Sequence, residues 1–165
     1  GEKVLYHLFQ QLYPLNNDLL AIFVKCTILN AQYSTHIFSI ESMAKHIQEL
    51  NIDKRLQMDD FSLVSDIANV SIKGKNRCFY SFATKYCSWH RLDTFPLYDS
   101  YVHQMLVFFK ERDGFFIFND NDLRDYSKFV NVINHFKKFY NLQEFNAKQI
   151  DEYLWLKGKE LFGTK

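Results

Sequence analysis

Glycine and proline are scarce in this 165-residue chain, at five and two. So few breakers leave little material for tight hairpins and none for a low-complexity linker. Cysteine is scarce too: Cys26, Cys78 and Cys87 are odd in number and scattered. That excludes a disulfide framework, and no spacing matches a zinc site or a four-cysteine iron–sulfur loop. A reducing, intracellular setting (cytoplasm or nucleoid) is the expectation that follows. No apolar run is long enough to span a bilayer and no signal-peptide core opens the sequence, so no membrane partner is expected. Charge of one sign is lacking as well. With 20 basic and 19 acidic residues the net charge is +1, which excludes a generally basic protein. Any nucleic-acid surface must then come from local clustering.

What the chain has in quantity is aromatic residues, 18% of the total, with 17 Phe and 10 Tyr. Phe has no polar handle to justify exposure, so most of this must be core. Apolar residues recur at helical spacing through most of the sequence. Val4, Leu5, Leu8, Phe9 and Leu12 mark a first helix that Pro14 ends. A second opens at Asn17 or Asp18 and is apolar nearly all round to Leu29, the pattern of a buried central helix. It closes at Asn30-Ala31-Gln32, and a new helix is expected to restart at Ser34 or Thr35. Shorter helices follow around Phe61–Ala68 and Phe79–His90. Asp99 opens another, broken at Asp113-Gly114, and two more run over 123–140 and 146–162. Phe115–Phe118 reads equally as a short strand or a buried extended linker. The expected fold is all-α, of about seven to nine helices.

Three features stand out as candidates for chemistry. In Phe95-Pro96-Leu97-Tyr98-Asp99-Ser100-Tyr101-Val102 a lone carboxylate opens an amphipathic helix. Asp99 there either caps the free N–H groups or is held at a cleft mouth for chemistry, and the positive helix end favours its ionised form. Lys73-Gly74-Lys75-Asn76-Arg77 is the one dense basic stretch. Its cations suit phosphates, with Gly74 allowing close backbone approach, or they form a solvated loop. The third is Leu29-Asn30-Ala31-Gln32-Tyr33-Ser34-Thr35, a polar turn after the buried helix. Tyr33, His36, Tyr98 and Tyr101 flank these positions and could stack on an extruded base or simply fill core. Lys85, Lys137 and Lys138 read as surface charges, Asp120 and Asp122 as caps, and His90, His103 and His135 show no metal-ligand spacing. No metal and no cofactor is expected.

In these residues the chain resembles the helix-hairpin-helix DNA glycosylase superfamily, the group of endonuclease III and the 8-oxoguanine glycosylases. Leu29–Thr35 looks like that family's Leu-Ser-Ala-Gln-x-Thr turn, and Tyr98-Asp99-Ser100-Tyr101-Val102 like its Val-Asp-Thr-His-Val segment. The resemblance implies two helical lobes flanking a cleft within one 1–165 unit, lobe one at about 30–110 and lobe two formed by 1–29 with 111–165. It implies a monomer acting on double-stranded DNA in repair, by base flipping. Asp99 would be the catalytic carboxylate, Gln32 would fill the gap left by the flipped base, and Lys73, Gly74, Lys75 and Arg77 would hold the backbone. Tyr33, His36, Tyr98 and Tyr101 would line the base pocket.

The stretch that corresponds to the family's glycine hairpin, Phe79–Lys85, lacks glycine, so that hairpin is absent, displaced to Lys73-Gly74-Lys75, or rebuilt by side chains. The position of its lysine nucleophile falls near Ser81, one helical turn from Lys85. The missing lysine points, for an enzyme, to a hydrolase that uses water, a monofunctional N-glycosylase, whereas loss of the hairpin and the near-zero net charge favour a module that binds without cutting. The alternative is a catalytically silent module of the same fold that binds DNA or a protein partner, and a plainer one is a helical protein-interaction domain.

Overall fold

The structure is a computed structural model and describes residues 1–163. It is mostly helical, as expected, with one two-stranded sheet. Helices α1 (Glu2–Tyr6), α2 (Leu19–Tyr33), α3 (Ile40–Glu49), α4 (Asp53–Gln57) and α5 (Ser62–Ala68) are followed by strands β1 (Asn69–Ile72) and β2 (Lys75–Cys78). Then come α6 (Tyr80–His90), α7 (Ser100–Asp113), α8 (Tyr126–Phe139) and α9 (Ala147–Phe162). A π-helical turn, His7–Leu12, extends α1, and a 3-10 turn, Asp120–Arg124, precedes α8. Among the described residues no helix is long and apolar enough to cross a membrane. The chain forms two compact units in sequence order, Gly1–Arg91 and Leu92–Lys165.

In the first unit, Asp18 caps α2 by accepting the Leu20 and Ala21 N–H groups at 2.7 and 3.0 Å, worth about 1 kcal/mol. Ala21, Ile22, Cys26 and Leu29 bury one side of this helix. The other side is open, with Leu20 71% and Phe23 38% exposed. The helix enclosed on all sides is instead α6, buried without interruption from Phe82 to Trp89. The apolar wrapping of α2 therefore misidentifies the central helix. Helix α6 escapes that reading because Thr84, Lys85 and Ser88 are polar yet buried.

Two further expectations are corrected. No helix restarts at Ser34 or Thr35: α2 runs on to Tyr33, and Ser34 and His36 take left-handed backbone at φ 48° and 58°. The cause is Asn30, whose Oδ1 accepts Thr35 Oγ1 at 2.7 Å and the Ile37 N–H at 3.0 Å. That side chain outcompetes the helical ladder and delays α3 to Ile40. The sequence also leaves little room for a tight hairpin, yet β1 and β2 form one. Ile72 pairs with Lys75 across Lys73-Gly74, and both turn residues have positive φ, 50° and 72°. That is the geometry a two-residue hairpin needs, and one glycine suffices for it.

In the second unit, Phe115–Phe118 forms no strand. Phe115 and Phe118 are buried and Ile117 is 93% exposed, so the segment is an extended linker. Helix α8 packs Phe129, Ile133 and Phe136 inward. Helix α9 starts with a capping box between Asn146 and Gln149 and packs lengthwise on α7. Their close approach is at Gly158, where an added Cβ would lie 2.7 Å from Tyr101 Cβ and 2.9 Å from Tyr101 O. Gly158→Ala gains about 1 kcal/mol of helix propensity but overpacks a backbone contact, which costs about 1–3 kcal/mol. We expect it to lower the denaturation midpoint; an unchanged or raised midpoint would show that the two helices separate freely.

Candidate functional site

Asp99 is placed by what precedes it. Phe95, Pro96 and Leu97 are buried and belong to no helix or strand, so their backbone polar groups need partners inside the protein. Tyr126 Oη donates to Pro96 O at 2.9 Å, and the Leu97 N–H donates to Asp151 Oδ2 at 3.0 Å. With this segment fixed, Asp99 falls at the N-cap of α7, half-buried, with Oδ1 accepting the Val102 N–H at 2.9 Å. Among the described residues no hydrogen bond reaches its other oxygen.

Asp151 lies behind this segment and is 2% exposed. Burial pushes its carboxyl up from a usual 3.8 to about 7. Lys148 Nζ, 3.7 Å away, and the Leu97 N–H oppose the rise, while the negative charges of Asp99 and Glu152 add to it. Tyr98 is 9% exposed, its hydroxyl hydrogen-bonded to His103 Nδ1 at 3.0 Å and its ring edge-on to Phe129. Burial raises the Tyr98 phenol and lowers the His103 imidazole from their ordinary values. Tyr101 is half-buried, packed on Gly158 and edge-on to Trp155.

The remaining sequence-predicted residues belong to the first unit. Gln32 is exposed in the last turn of α2. Tyr33 is half-buried, its hydroxyl accepting Trp89 Nε1 at 3.1 Å, and its ring lies 5.3 Å from Lys85 Nζ. His36 is exposed. Lys73, Gly74, Lys75 and Arg77 are all exposed and share the β1–β2 hairpin, with Lys75 and Arg77 on one strand. The hairpin thus gathers the basic residues, while Tyr98, Asp99 and Tyr101 gather at the start of α7.

Three buried ionisable groups escaped the sequence reading. Lys85, expected at the surface, is 3% exposed and donates to Ser81 Oγ at 2.6 Å. Lys25, fully buried in α2, donates to Tyr13 O, Leu15 O and Asn16 Oδ1 at 3.0, 2.9 and 2.6 Å. Asn16 also accepts the Tyr86 hydroxyl and donates to Asp53. Burial lowers the Lys25 ammonium to about 8 against the pull of Asp53. Burial, and then the Lys25 charge, hold the His90 imidazole well below its ordinary value. A lysine inside an otherwise apolar helix was the available signal. For Asp151 it was a carboxylate sharing one helical face with Ala147, Ile150, Leu154 and Gly158. Among the described residues no group of three or more His, Cys, Asp or Glu is placed to hold a metal ion.

Residues 1–94 match the family model HI_0787_N, an N-terminal domain, and that match ends close to the unit boundary after Arg91. A protein of Haemophilus influenzae (strain ATCC 51907 / DSM 11121 / KW20 / Rd), named only as an uncharacterized protein, is 49% identical over 136 residues. The match covers 82% of this chain and 65% of the relative, so the chain spans less than two thirds of that protein's length. No solved structure matches the chain.

The Asp151 carboxyl makes a stability prediction. Its folded pKa lies above the unfolded value, so the folded state holds the proton more tightly between pH 3.8 and about 7. This contribution is full below pH 3.8 and is lost as pH rises toward 7, a change of a few kcal/mol at about 1.4 kcal/mol per unit. Asp151→Asn should remove that slope in pH-dependent denaturation. An identical slope in the variant would assign the dependence to other groups.

Proposed function

This chain belongs to the HI_0787_N family, and we propose that it is a DNA N-glycosylase-like protein in which Asp99 is the catalytic carboxylate. The observation that carries the reading is the state of that side chain. It is half-buried at a helix N-terminus, with one oxygen fixed by the Val102 N–H and the other open. In N-glycoside hydrolysis the C1′–N bond breaks with its electrons leaving on the base. Positive charge develops on the sugar, water adds at C1′, and its proton ends on the departing base. A fixed carboxylate with one accessible oxygen suits both tasks, stabilising the sugar cation and aligning the water.

The exposed cations Lys73, Lys75 and Arg77 supply a phosphate-binding element and exposed Gln32 a group to enter the duplex. The reading requires the cations of the first unit and the carboxylate of the second to engage the same duplex. It places the protein with DNA inside the cell. Base removal by water is preferred to lysine chemistry, since Lys85 is buried and bonded to Ser81.

A second reading, a silent DNA-binding module, is favoured by one observation: Tyr98 is 9% exposed and bonded to His103, so it is spent on packing.

Asp99→Asn separates the two. Asn caps a helix about as well as Asp, so fold and DNA affinity should hold while abasic-site formation on lesion-bearing oligonucleotides falls at least ~100-fold. Asp99→Ala, by contrast, should also cost about 1 kcal/mol of stability. Base release at the wild-type rate by Asp99→Asn, or none by the wild type across the lesion panel, would leave the silent module.

A further inference from the structure

The β1–β2 hairpin carries more than three loose charges. Residues paired across an antiparallel ladder share a face, so Val70 with Arg77 and Ile72 with Lys75 lie on one side. Val70 is 3% exposed and Ile72 half-buried, so this side rests on the protein, against α3 and α5. Asn69, Ser71, Asn76 and Cys78 occupy the opposite side and are all exposed. The outward face is therefore neutral and hydrogen-bonding. Lys75 and Arg77 sit on the second strand, exposed although they share the inner side, and Lys73 stands at the tip.

Residues 69–78 contain three cations and no acid. Without them the chain's 20 basic residues fall to 17 against 19 acidic ones. The sign of the net charge thus turns on this one element, the densest run of cations free of acidic neighbours. None of the three pairs with a carboxylate among the described residues, whereas Arg55, Arg91, Arg112, Lys110 and Lys128 all do. Asn76 and Ser71 likewise have no side-chain partner among the described residues.

We propose that the β1–β2 hairpin is a DNA-reading ribbon that enters the major groove of duplex DNA, with Ser71 and Asn76 toward the base edges and Lys73, Lys75 and Arg77 on the flanking phosphates. The dimensions agree. Two strands about 4.8 Å apart with four residues each make a ribbon ~13 Å long, and the groove, about 12 Å wide, admits a two-stranded ribbon. An asparagine amide has the donor–acceptor pair that matches adenine N7 and N6. The cations neutralise phosphates and carry no sequence information. This inference rests on the DNA-directed part of the proposed function and is independent of its chemistry.

The test is duplex affinity of the full chain as a function of salt, for the wild type, Asn76→Ala and a triple Lys73→Ala, Lys75→Ala, Arg77→Ala variant. Circular dichroism checks that each variant is folded. The triple variant should bind at least tenfold more weakly at 0.1 M salt, with a slope of log K on log salt shallower by about 2–3, at ~0.9 per phosphate. Asn76→Ala should keep the slope and lose sequence preference. Guanine N7 methylation should block binding, and a minor-groove ligand should not.

Cys78 gives a second readout. It is exposed on the ribbon while Cys26 and Cys87 are buried, so a thiol reagent marks it selectively and duplex DNA should protect it. Unchanged affinity and slope in the triple variant, or tighter binding to single strands, RNA or anionic phospholipid vesicles, would overturn the ribbon assignment. Competition by the minor-groove ligand without N7 interference would overturn the groove. The outcomes separate from those of the chemistry. Loss of the Asp99 effect with these results intact removes only the glycosylase, and duplex binding that ignores the ribbon removes only this proposal.

Discussion

One hydrogen bond in the second unit governs the position of the candidate carboxylate: the Leu97 N–H to buried Asp151. Residues 95–97 are enclosed and lie outside any helix or strand, so no regular ladder satisfies their backbone. Asp151 supplies one partner and the Tyr126 hydroxyl another. Only with the segment held does Asp99 arrive where its side chain can cap α7. The same helix that carries Asp151 also carries Gly158, whose missing Cβ lets α9 lie against Tyr101 on α7. Two small features of α9 thus set both the axis of α7 and the point where it begins. A full charge on Asp151 in that setting would be costly, and burial answers by holding its proton to about pH 7.

The first unit solves the same problem with the opposite sign. Its irregular stretch, 13–16, is tied to α2 by the Lys25 ammonium, which takes two backbone carbonyls and the Asn16 amide oxygen. Asn16 then passes the connection to Tyr86 on α6 and Asp53 on α4. Further along α2, Asn30 closes the 35–37 turn. In each case a polar side chain projects from a regular helix and satisfies a segment that is not regular. Such networks are favourable only when every member is bonded, and the Lys25 ammonium has all three protons placed. These ties also explain why the candidate residues sit beside loops yet in defined positions. Tyr33 precedes the Asn30-held turn, and Asp99 follows the Asp151-held segment.

Much of this was legible in the sequence, for a physical reason. Helix ends follow from short-range chemistry, so Asp18, Asp99, Pro14, Gly114 and Asn146 marked boundaries that the fold keeps. The amphipathic faces of α3 and α8 were legible too, because burial and periodicity coincide there. What failed depended on long-range pairing. The hairpin needs two short four-residue strands to find each other; Asn69-Val70-Ser71-Ile72 alternates in hydropathy, but over only four residues, and its partner Lys75–Cys78 does not alternate. Asn30 read only as part of a polar helix end, because the partners that give it a role lie five and seven residues on. Lys25, Lys85 and Asp151 were missed since a charged residue is read as solvated until its enclosure is known. The candidate site was legible as residue types, Asp99 and the basic cluster, but not as the geometry that makes the cluster a ribbon.

Capping and catalysis are not rival explanations of Asp99. A cap uses one carboxylate oxygen and fixes the torsions of the side chain, and that fixation is what an active-site carboxylate otherwise needs a second residue to provide. The Val102 N–H performs it here at 2.9 Å, leaving the remaining oxygen oriented and unspent. On the proposed reading, Asp151 has a corresponding role behind the site, since it holds the Leu97 N–H two residues before Asp99. On the same reading the hairpin meets a different demand, because recognition of a duplex would require charge at the surface and chemistry a carboxylate partly withdrawn from water. Without the ten residues of the hairpin the net charge would pass from +1 to −2, so the small positive excess of the chain depends on that element.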